Sequence, residues 1–449
     1  MHYFFFNLYK IKFSILSKTN KLLIPFFVKN EMFYLLSFLL ILNLTKIKKI
    51  LPKNNSKYKV IVLSKTGGID DLTVGQKNIN RNILYFDCPR AFFKQIYEAI
   101  FENKYEDLIK NTDFNHNNEI RRLEKKYKNF LVTFIKKFKK NYFFNAFIGF
   151  NYNYYAEKDL HKTCNELKIP FLLLYKESVM TELQKEFRIY SRKRLTEKFE
   201  GYKIAVYSNI GKDILIKSGI STKDKIEVVG CSRLSLSFSY RKVIPKKQIL
   251  YYAIESYRGL PKSMEQPGLK NITPFDKYKK YNWKKLHTKT LKILKKFAIN
   301  NPDVSIIIKI KTGDKINSTQ YKNLPKNIKL YKFGVGHKFL ENSKIVIGWN
   351  TTSVLEGIAA NRFMLLPYFF KKNKISKKIQ LNLKLKKENY GYSENDFYKK
   401  LNFFVQKEYK SNVSYNNSFP LDYYLGNSNN DAKSKLNKFL TKNIIYKDL

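Results

Sequence analysis

The chain has 449 residues, 44% of them hydrophobic with 36 Phe and 33 Tyr, so it holds enough apolar surface for sizeable cores and is excluded from the disordered class. At roughly 100–200 residues per domain the length gives two to three domains, and two is the reading adopted. The formal charge of +50 comes mostly from Lys spread from end to end among abundant Asn, Ile, Tyr and Phe, as an AT-rich genome imposes; with no ribonucleoprotein motif, zinc knuckle or basic heptad array, a nucleic-acid partner is not expected, while an acidic membrane surface or a phosphate-bearing substrate stays open.

The first 56 residues contain the most apolar run, Met32 to Leu44, flanked by Lys29 and by Lys46, Lys48 and Lys49. It falls short of the about 20 apolar residues that a spanning helix needs. Nor does a small-residue cleavage site follow a charged start, so no secretory signal is expected. Two readings remain, a helix packed on the protein and a helix lying in the membrane interface with its lysines at the headgroups.

After the linker-like Leu51–Lys59, the short apolar run Val60–Leu63 predicts a strand that ends in the glycine loop "SKTGGIDD" (Ser64–Asp71). Asn82–Asp87 reads as a strand, Phe92–Glu102 as a helix, Ala146–Phe150 as a strand, Ala156–Leu167 as a helix, and Ile169–Glu177 as a strand and loop. A charged helix over Arg188–Phe199, a strand over Ile204–Asn209, a helix over Ile210–Ser218 and a strand with turn over Lys225–Leu236 complete a first series. The pattern restarts with a strand at Lys247–Ile254, then a helix over Lys284–Ile299 and strands at Ser305–Lys311 and Ile328–Phe333. Helix and strand alternate at the spacing of βαβ units, which predicts parallel sheets covered by helices. The boundary falls near Tyr240–Lys246, and the Lys/Asn-rich tail from Lys371 carries helical patches.

The three cysteines, Cys88, Cys164 and Cys231, are far apart and lack CxxC spacing, as in a reducing cytoplasm without a disulfide framework. The five histidines, His2, His116, His161, His287 and His337, form no HExxH or His-x-His pair, so no metal held by sequence-local ligands is expected.

The most informative stretch is "IVIGWNTTSVLEGIAANRFMLLP", Ile345 to Pro367. Lys344–Gly348 reads as a strand, "WNTT" as a turn and Ser353–Ala360 as a short helix with Val354, Leu355, Ile358 and Ala359 on its apolar face. Ser353 with Glu356 three residues on has the form of a capping box. The same pattern suits a ligand site, because open parallel sheets bind ligands beyond the carboxyl ends of their strands, where hydroxyls and free N–H groups meet phosphate and a carboxylate can accept from ribose hydroxyls.

"NTTSVLEGIAANRFMLLP" resembles the nucleotide-sugar site in the second domain of two-domain (GT-B) glycosyltransferases, especially bacterial capsule and surface-polysaccharide biosynthesis proteins, whose pattern is approximately N-S-T-x-x-x-E-A-x-x-x-G-x-P-V. Asn350, Thr351 and Thr352 match the polar turn and Glu356 the acidic place; Gly357 replaces the alanine, Asn361-Arg362 stands where Gly-Lys is common, and no proline precedes Met364. Four further stretches resemble the family in the same order: Asn151–Glu177, ending in a Lys-Glu pair; "VVGCSRLS" (Val228–Ser235), similar to V-x-G-x-P-R-x-D with Ser232 for the proline and Ser235 for the aspartate; Ile306–Asp314, without the family's His-Pro; and Tyr424–Leu440, similar to the final G-x-x-D-G-x-A.

The resemblance implies an α/β protein of two Rossmann-like domains with parallel sheets facing across a cleft, plus a hydrophobic helical N-terminal extension. The divisions are residues 1–56 for the extension, 57–240 for an acceptor domain, 241–420 for a nucleotide-sugar domain and 421–449 for a helical tail. The implied function is metal-independent transfer of a sugar from a nucleotide-sugar donor to a glycan or lipid-linked acceptor in surface polysaccharide biosynthesis. The donor is a substrate, with no cofactor, and the setting is cytoplasmic or peripheral on the inner face of the membrane. Alternatives are a CDP-glycerol-type glycerophosphotransferase, a nucleotide-sugar 2-epimerase, or a non-catalytic membrane-associated scaffold of a polysaccharide assembly complex.

Under this reading Asn350, Thr351, Thr352, Ser353 and Glu356 hold the donor, with Lys309 or Lys311 neutralising its phosphates and His337 lining its pocket. Gly67 and Gly68 allow close backbone approach to a phosphate or acceptor. Asp70 or Asp71, in competition with Glu177, is the candidate general base.

Overall fold

The computed structural model describes residues 16, 18–47, 50, 56–64, 67–76, 82–102, 118–154, 157, 159–178, 185, 188–189, 192–193, 198–253, 283–310, 319–334, 336–348, 351–369, 385–412, 415–416, 419–427 and 429–445. Of the predicted site residues, Asn350 and Lys311 lie outside these, as does the side chain of Glu177; most of the predicted helix Arg188–Phe199 lies outside them too.

Two parallel sheets dominate. The first contains β1 (Thr45–Lys46), β2 (Tyr58–Leu63), β3 (Ile83–Cys88), β4 (Ala146–Gly149), β5 (Phe171–Tyr175), β6 (Lys203–Val206) and β7 (Ile226–Val228), in the spatial order β1-β3-β2-β4-β5-β6-β7. All pair in parallel except the short edge strand β1, which runs antiparallel to β3. The second contains β8 (Lys246–Tyr252), β9 (Ser305–Lys309), β10 (Ile328–Tyr331), β11 (Ser343–Ile347), β12 (Phe363–Pro367) and β13 (Tyr390–Gly391), in the order β10-β9-β8-β11-β12-β13, parallel throughout. The central strands are short unbroken apolar runs, such as Ala146–Gly149 and Ile345–Ile347, because helices bury both faces of each sheet.

Strand order locates the functional end of each domain. In the first sheet the chain goes outward from β2 to β3 and returns on the other side as β4; in the second it goes from β8 through β9 to β10 and returns as β11. The crevices where connections part, beyond the carboxyl ends of β2/β4 and β8/β11, are where such sheets bind ligands.

One large element was not expected from the sequence. Between β3 and β4 a helix runs over Asn118–Asn141, burying Tyr127, Phe130, Leu131, Phe134, Ile135 and Phe138 along one face. Before the first sheet, residues 18–29 form helix α1 and Phe33–Asn43 form helix α2, and Asn118–Asn141, here α5, carries them on its flank. Between these come α3 (Gly68–Gln76) and α4 (Arg90–Phe101). At the other end, the helix Ala432–Ile444 returns to the first domain, with Leu436 against Gly75 and Ala432 against Gly230. The tail therefore bridges both domains.

The turn after the short helix Ser353–Ala359 also departs from the family pattern in a way the structure explains. Asn361 takes the left-handed conformation (φ 59) that glycine usually fills at a helix end; its N–H bonds the Ile358 carbonyl at 3.0 Å and the Arg362 N–H bonds the Gly357 carbonyl at 3.0 Å, a Schellman closure. Asn tolerates this region where β-branched residues do not. Asn361→Gly keeps the backbone conformation but loses the 3.0 Å bond that the Asn361 Oδ1 accepts from the Tyr415 N–H, and is expected to cost about 1 kcal/mol in a denaturant titration; Asn361→Val loses both and should cost about 2–3 kcal/mol.

Candidate active site

The residues that gather at the two crevices come from both domains and from the segment between them. Asp71 sits in the first turn of α3, directly beyond β2, and is almost fully buried at 1% exposure. Its Oδ2 accepts a 2.8 Å hydrogen bond from the Tyr207 hydroxyl; its Oδ1 lies 3.5 Å from the Cys231 thiol and 3.4 Å from Nε of Arg233. Burial raises the Asp71 pKa, and Arg233, Tyr207 and Cys231 oppose the rise. Only a positively charged neighbour makes a carboxylate tolerable at this depth.

Arg233 faces the second domain as well. It lies on the turn Ser232–Leu234 after β7, and its guanidinium interacts with Glu356 as well as with Asp71. Gly67, in the left-handed region at φ 82, is the residue over which Arg233 passes: a Cβ there would stand 3.2 Å from a guanidinium nitrogen. Gly68 serves differently from expectation. It opens α3 rather than lying in a loop, and a side chain on it would collide with the Phe150 ring, so its smallness is used in packing.

On the other side, Glu356 projects from the helix Ser353–Ala359. It is half-buried, and burial raises its pKa to about 7, against the pull of Arg233 and Tyr252 and assisted by Asp71. Tyr252, the last residue of β8, is 5% exposed, and its buried hydroxyl is directed at the Glu356 carboxyl. Gly336 abuts the Tyr252 ring, which places the neighbouring His337 at the same crevice; burial lowers the His337 pKa, with Lys338 and Arg233 adding to the effect. His337, Glu356 and Tyr252 thus gather on the second-domain side of the cleft, with Arg233 acting on His337 and Glu356 from the interdomain turn.

Several expectations need correction. The capping box does not form: Thr352 is the N-cap and makes no side-chain cap, while the Ser353 N–H reaches the Thr351 hydroxyl at 3.4 Å. Starting one residue earlier places Glu356 a position further into the helix, where its carboxyl turns to Tyr252 and Arg233 instead of to the helix end. Lys309 is buried with Nζ donating to the carbonyls of Ile310 and Lys332, so its charge is spent on the strand ends and does not face the cleft. Asp71 is closed off by its three partners and serves to hold Arg233, whereas Asp70 is exposed on the same helix turn. Glu177 stands on the turn Lys176–Ser178 beyond β5. Thr351 and Ser353 are half-buried and Thr352 is exposed beside Glu356.

Arg233, Tyr252 and Tyr207 were not singled out from the sequence. Arg233 stood within "VVGCSRLS", whose family pattern carries an arginine at that place, and Tyr252 ends a strand at a switch point; either signal was sufficient to find them. Among the described residues no group of three or more His, Cys, Asp and Glu side chains is placed to hold a metal ion.

With this geometry in view, the solved structures supply one comparison of weight. The chain shares its fold with a protein assigned as a UDP-N-acetylglucosamine 2-epimerase from Listeria monocytogenes. The superposition covers 86% of this chain and 95% of that one, with a TM-score of 0.50 and 10% sequence identity. The UDP-GlcNAc 2-epimerase of Neisseria meningitidis bound to UDP-GlcNAc (TM-score 0.44, 12% identity, 86% of this chain and all 100% of that one) and the glycotransferase of kitacinnamycin (0.43, 8%, 86% and 98%) are more distant. No protein-family model matches the chain, and no curated protein matches it in sequence. The likeness is one of fold: two parallel-sheet domains in the GT-B arrangement.

The raised Glu356 pKa has a measurable consequence. Between the ordinary value of 4.5 and about 7 the folded protein keeps a proton that the unfolded chain has released, so this group's contribution to stability falls as pH rises through that window. Glu356→Gln should remove that slope and add about 2 kcal/mol above neutral pH, read as a Tm gain that vanishes in acid.

Proposed function

We propose that the protein is a nucleotide-sugar-dependent glycosyltransferase, with the donor held by the second domain and the acceptor by the first. The observation that carries this is Arg233 on the interdomain turn, 3.4 Å from Asp71 of the first domain and within electrostatic reach of Glu356 of the second. A leaving nucleotide diphosphate gains negative charge as the glycosidic bond breaks, and a fixed guanidinium whose orientation is already set stabilises that charge without reorganising. Glu356 accepts from ribose hydroxyls in its ionised form, Tyr252 holds a hydroxyl beside that carboxyl, and Thr351 and Thr352 supply further donors. Asn350, next to Thr351 in sequence, is assigned to the donor with them on the family resemblance.

In this account Asp71 positions Arg233 rather than receiving the acceptor's proton. That proton passes to a carboxylate on the first-domain side, for which Glu177 and Asp70 are the candidates. Arg233 takes the phosphate-neutralising role first assigned to Lys309 or Lys311. Surface or capsular polysaccharide synthesis is the setting that the ordered motifs from Asn151 to Leu440 favour.

A second reading, nucleotide-sugar 2-epimerase, is favoured by the fold shared with the Listeria protein and by two carboxyls of raised pKa around one arginine. Incubation with UDP-, GDP-, CMP- and CDP-linked donors, followed by mass spectrometry and NMR of the products, tests both. Transfer to a glycan or lipid-linked acceptor supports the first reading. Inversion at sugar C2 without acceptor supports the second, and absence of any donor turnover contradicts both.

A further inference from the structure

The helical hairpin at the amino-terminal end has two apolar faces and only one covering. The turn Asn30–Met32 joins α1 to α2, and a reciprocal amide pair, Asn20 to Asn43 at 2.8 and 3.1 Å, pins their far ends together. Ile24, Val28, Leu36, Leu39 and Leu40 are buried, and Phe33 meets Phe130 of α5 with ring centroids 4.9 Å apart. The outward stripe is equally apolar: Leu22 is 76% exposed, Phe26 54%, Leu35 49%, Phe38 59% and Leu42 46%. α2 contains no charged residue at all. A helix that is apolar all round belongs inside protein or lipid, and a contiguous stripe of this kind marks an interaction surface.

Charge identifies the occupant. Lys18, Lys21 and Lys29 of α1 and Lys46 after α2 are exposed around the stripe, and Lys137 of α5 bonds the Tyr34 hydroxyl at 3.2 Å. Beneath the hairpin turn lies a cavity of about 630 Å³ whose wall combines apolar Val28, Phe33 and Phe130 with Lys29, Arg122, Lys125 and Lys126; Glu31 and Glu102 also line it. A second copy of this chain would bring the same lysines face to face in a molecule already at +50. No helix among the described residues is long and apolar enough to cross a membrane, and an apolar stripe rimmed by lysines has the form of a helix that lies in a membrane interface.

We propose that this hairpin seats the protein on an anionic phospholipid bilayer, its Leu and Phe stripe entering the interface while Lys29, Arg122, Lys125 and Lys126 take lipid phosphates in the cavity behind it. Apolar insertion combined with a basic rim is the two-signal arrangement that gives stable peripheral binding. The inference does not depend on what the cleft binds.

Flotation of the full chain with vesicles of phosphatidylcholine, with or without phosphatidylglycerol, tests it. Binding is expected to be at least about tenfold tighter with phosphatidylglycerol, to weaken by about tenfold in Leu35→Ser/Phe38→Ser, and to lose its lipid preference in Lys125→Glu/Lys126→Glu. Phe38→Trp should show a blue-shifted emission quenched by brominated lipid, a readout that needs no loss of binding. Equal or absent binding on both vesicle types, wild-type binding by the serine variant, or a Phe38→Trp emission that brominated lipid leaves unquenched would overturn the proposal. So would a vesicle-free dimer in light scattering that the serine variant abolishes.

Discussion

Replacing Arg362 with alanine is expected to destabilise the second domain by about 4 kcal/mol or more, the largest effect of any single substitution away from the cleft. Arg362 is fully buried at 0% exposure. Its guanidinium donates to four backbone carbonyls, those of Leu340, Val243 and Tyr240 at 3.0 Å and of Glu341 at 3.2 Å. Tyr240 and Val243 belong to the connection between the domains, and Leu340 and Glu341 lead into β11, the strand that carries the polar turn and Glu356. Arg241, from the same connection, donates through Nε to the Ala359 carbonyl at 2.8 Å, closing the helix end from outside. Alanine leaves a large void and takes a donor from each of four carbonyls; those of Tyr240 and Leu340 keep the N–H groups of Val243 and Ser343, while those of Val243 and Glu341 lose the guanidinium without such a replacement. Lysine is expected to recover little, since one ammonium cannot reproduce the planar fork. A guanidinium titration of each variant, followed by circular dichroism, reads the loss directly; an Arg362→Ala midpoint within error of wild type would contradict this account of the connection.

Arg233→Ala is expected to reduce donor turnover by about 10²- to 10³-fold, in proportion to what removal of a fixed charge stabiliser costs elsewhere. It also strips Asp71 of its counter-charge, so a loss of stability is expected in the same variant. The two effects separate in Arg233→Ala/Asp71→Asn. The neutral amide no longer needs a cation, so the double variant should regain stability while turnover stays low. Recovery of both together would mean that Arg233 acts only as a structural ion pair.

Much of the architecture was legible because parallel strands buried on both faces write themselves as short apolar runs. Ser305–Lys309 and Ser343–Ile347 show this, as does Lys246–Tyr252 within a residue or two. The helix Asn118–Asn141 was missed although Tyr127, Phe130, Phe134 and Phe138 recur at helical spacing, since the intervening lysines mask the stripe in a chain where lysine is everywhere. At the cleft, Glu356 was singled out from a turn motif and Asp71 from a glycine loop, but Arg233 was not, nor the proximity of all three, because Arg233 and Asp71 lie 123 and 285 residues from Glu356 in sequence and only the fold joins them. Lys309 illustrates the converse. Its place at a strand end was readable, and the direction of its ammonium, toward two carbonyls, was not. Asn361-Arg362, which breaks the family pattern, proved to be a left-handed helix closure followed by the arginine that ties the domains' connection.

Isothermal titration of UDP and other nucleoside diphosphates into the wild-type protein and Glu356→Ala tests the central claim most directly. The account predicts saturable one-site binding by at least one nucleotide in the wild type and at least about tenfold weaker binding in the variant, as expected when the acceptor of the ribose hydroxyls is removed. No heat with any nucleotide at millimolar concentration, or the same affinity in both proteins, would contradict it.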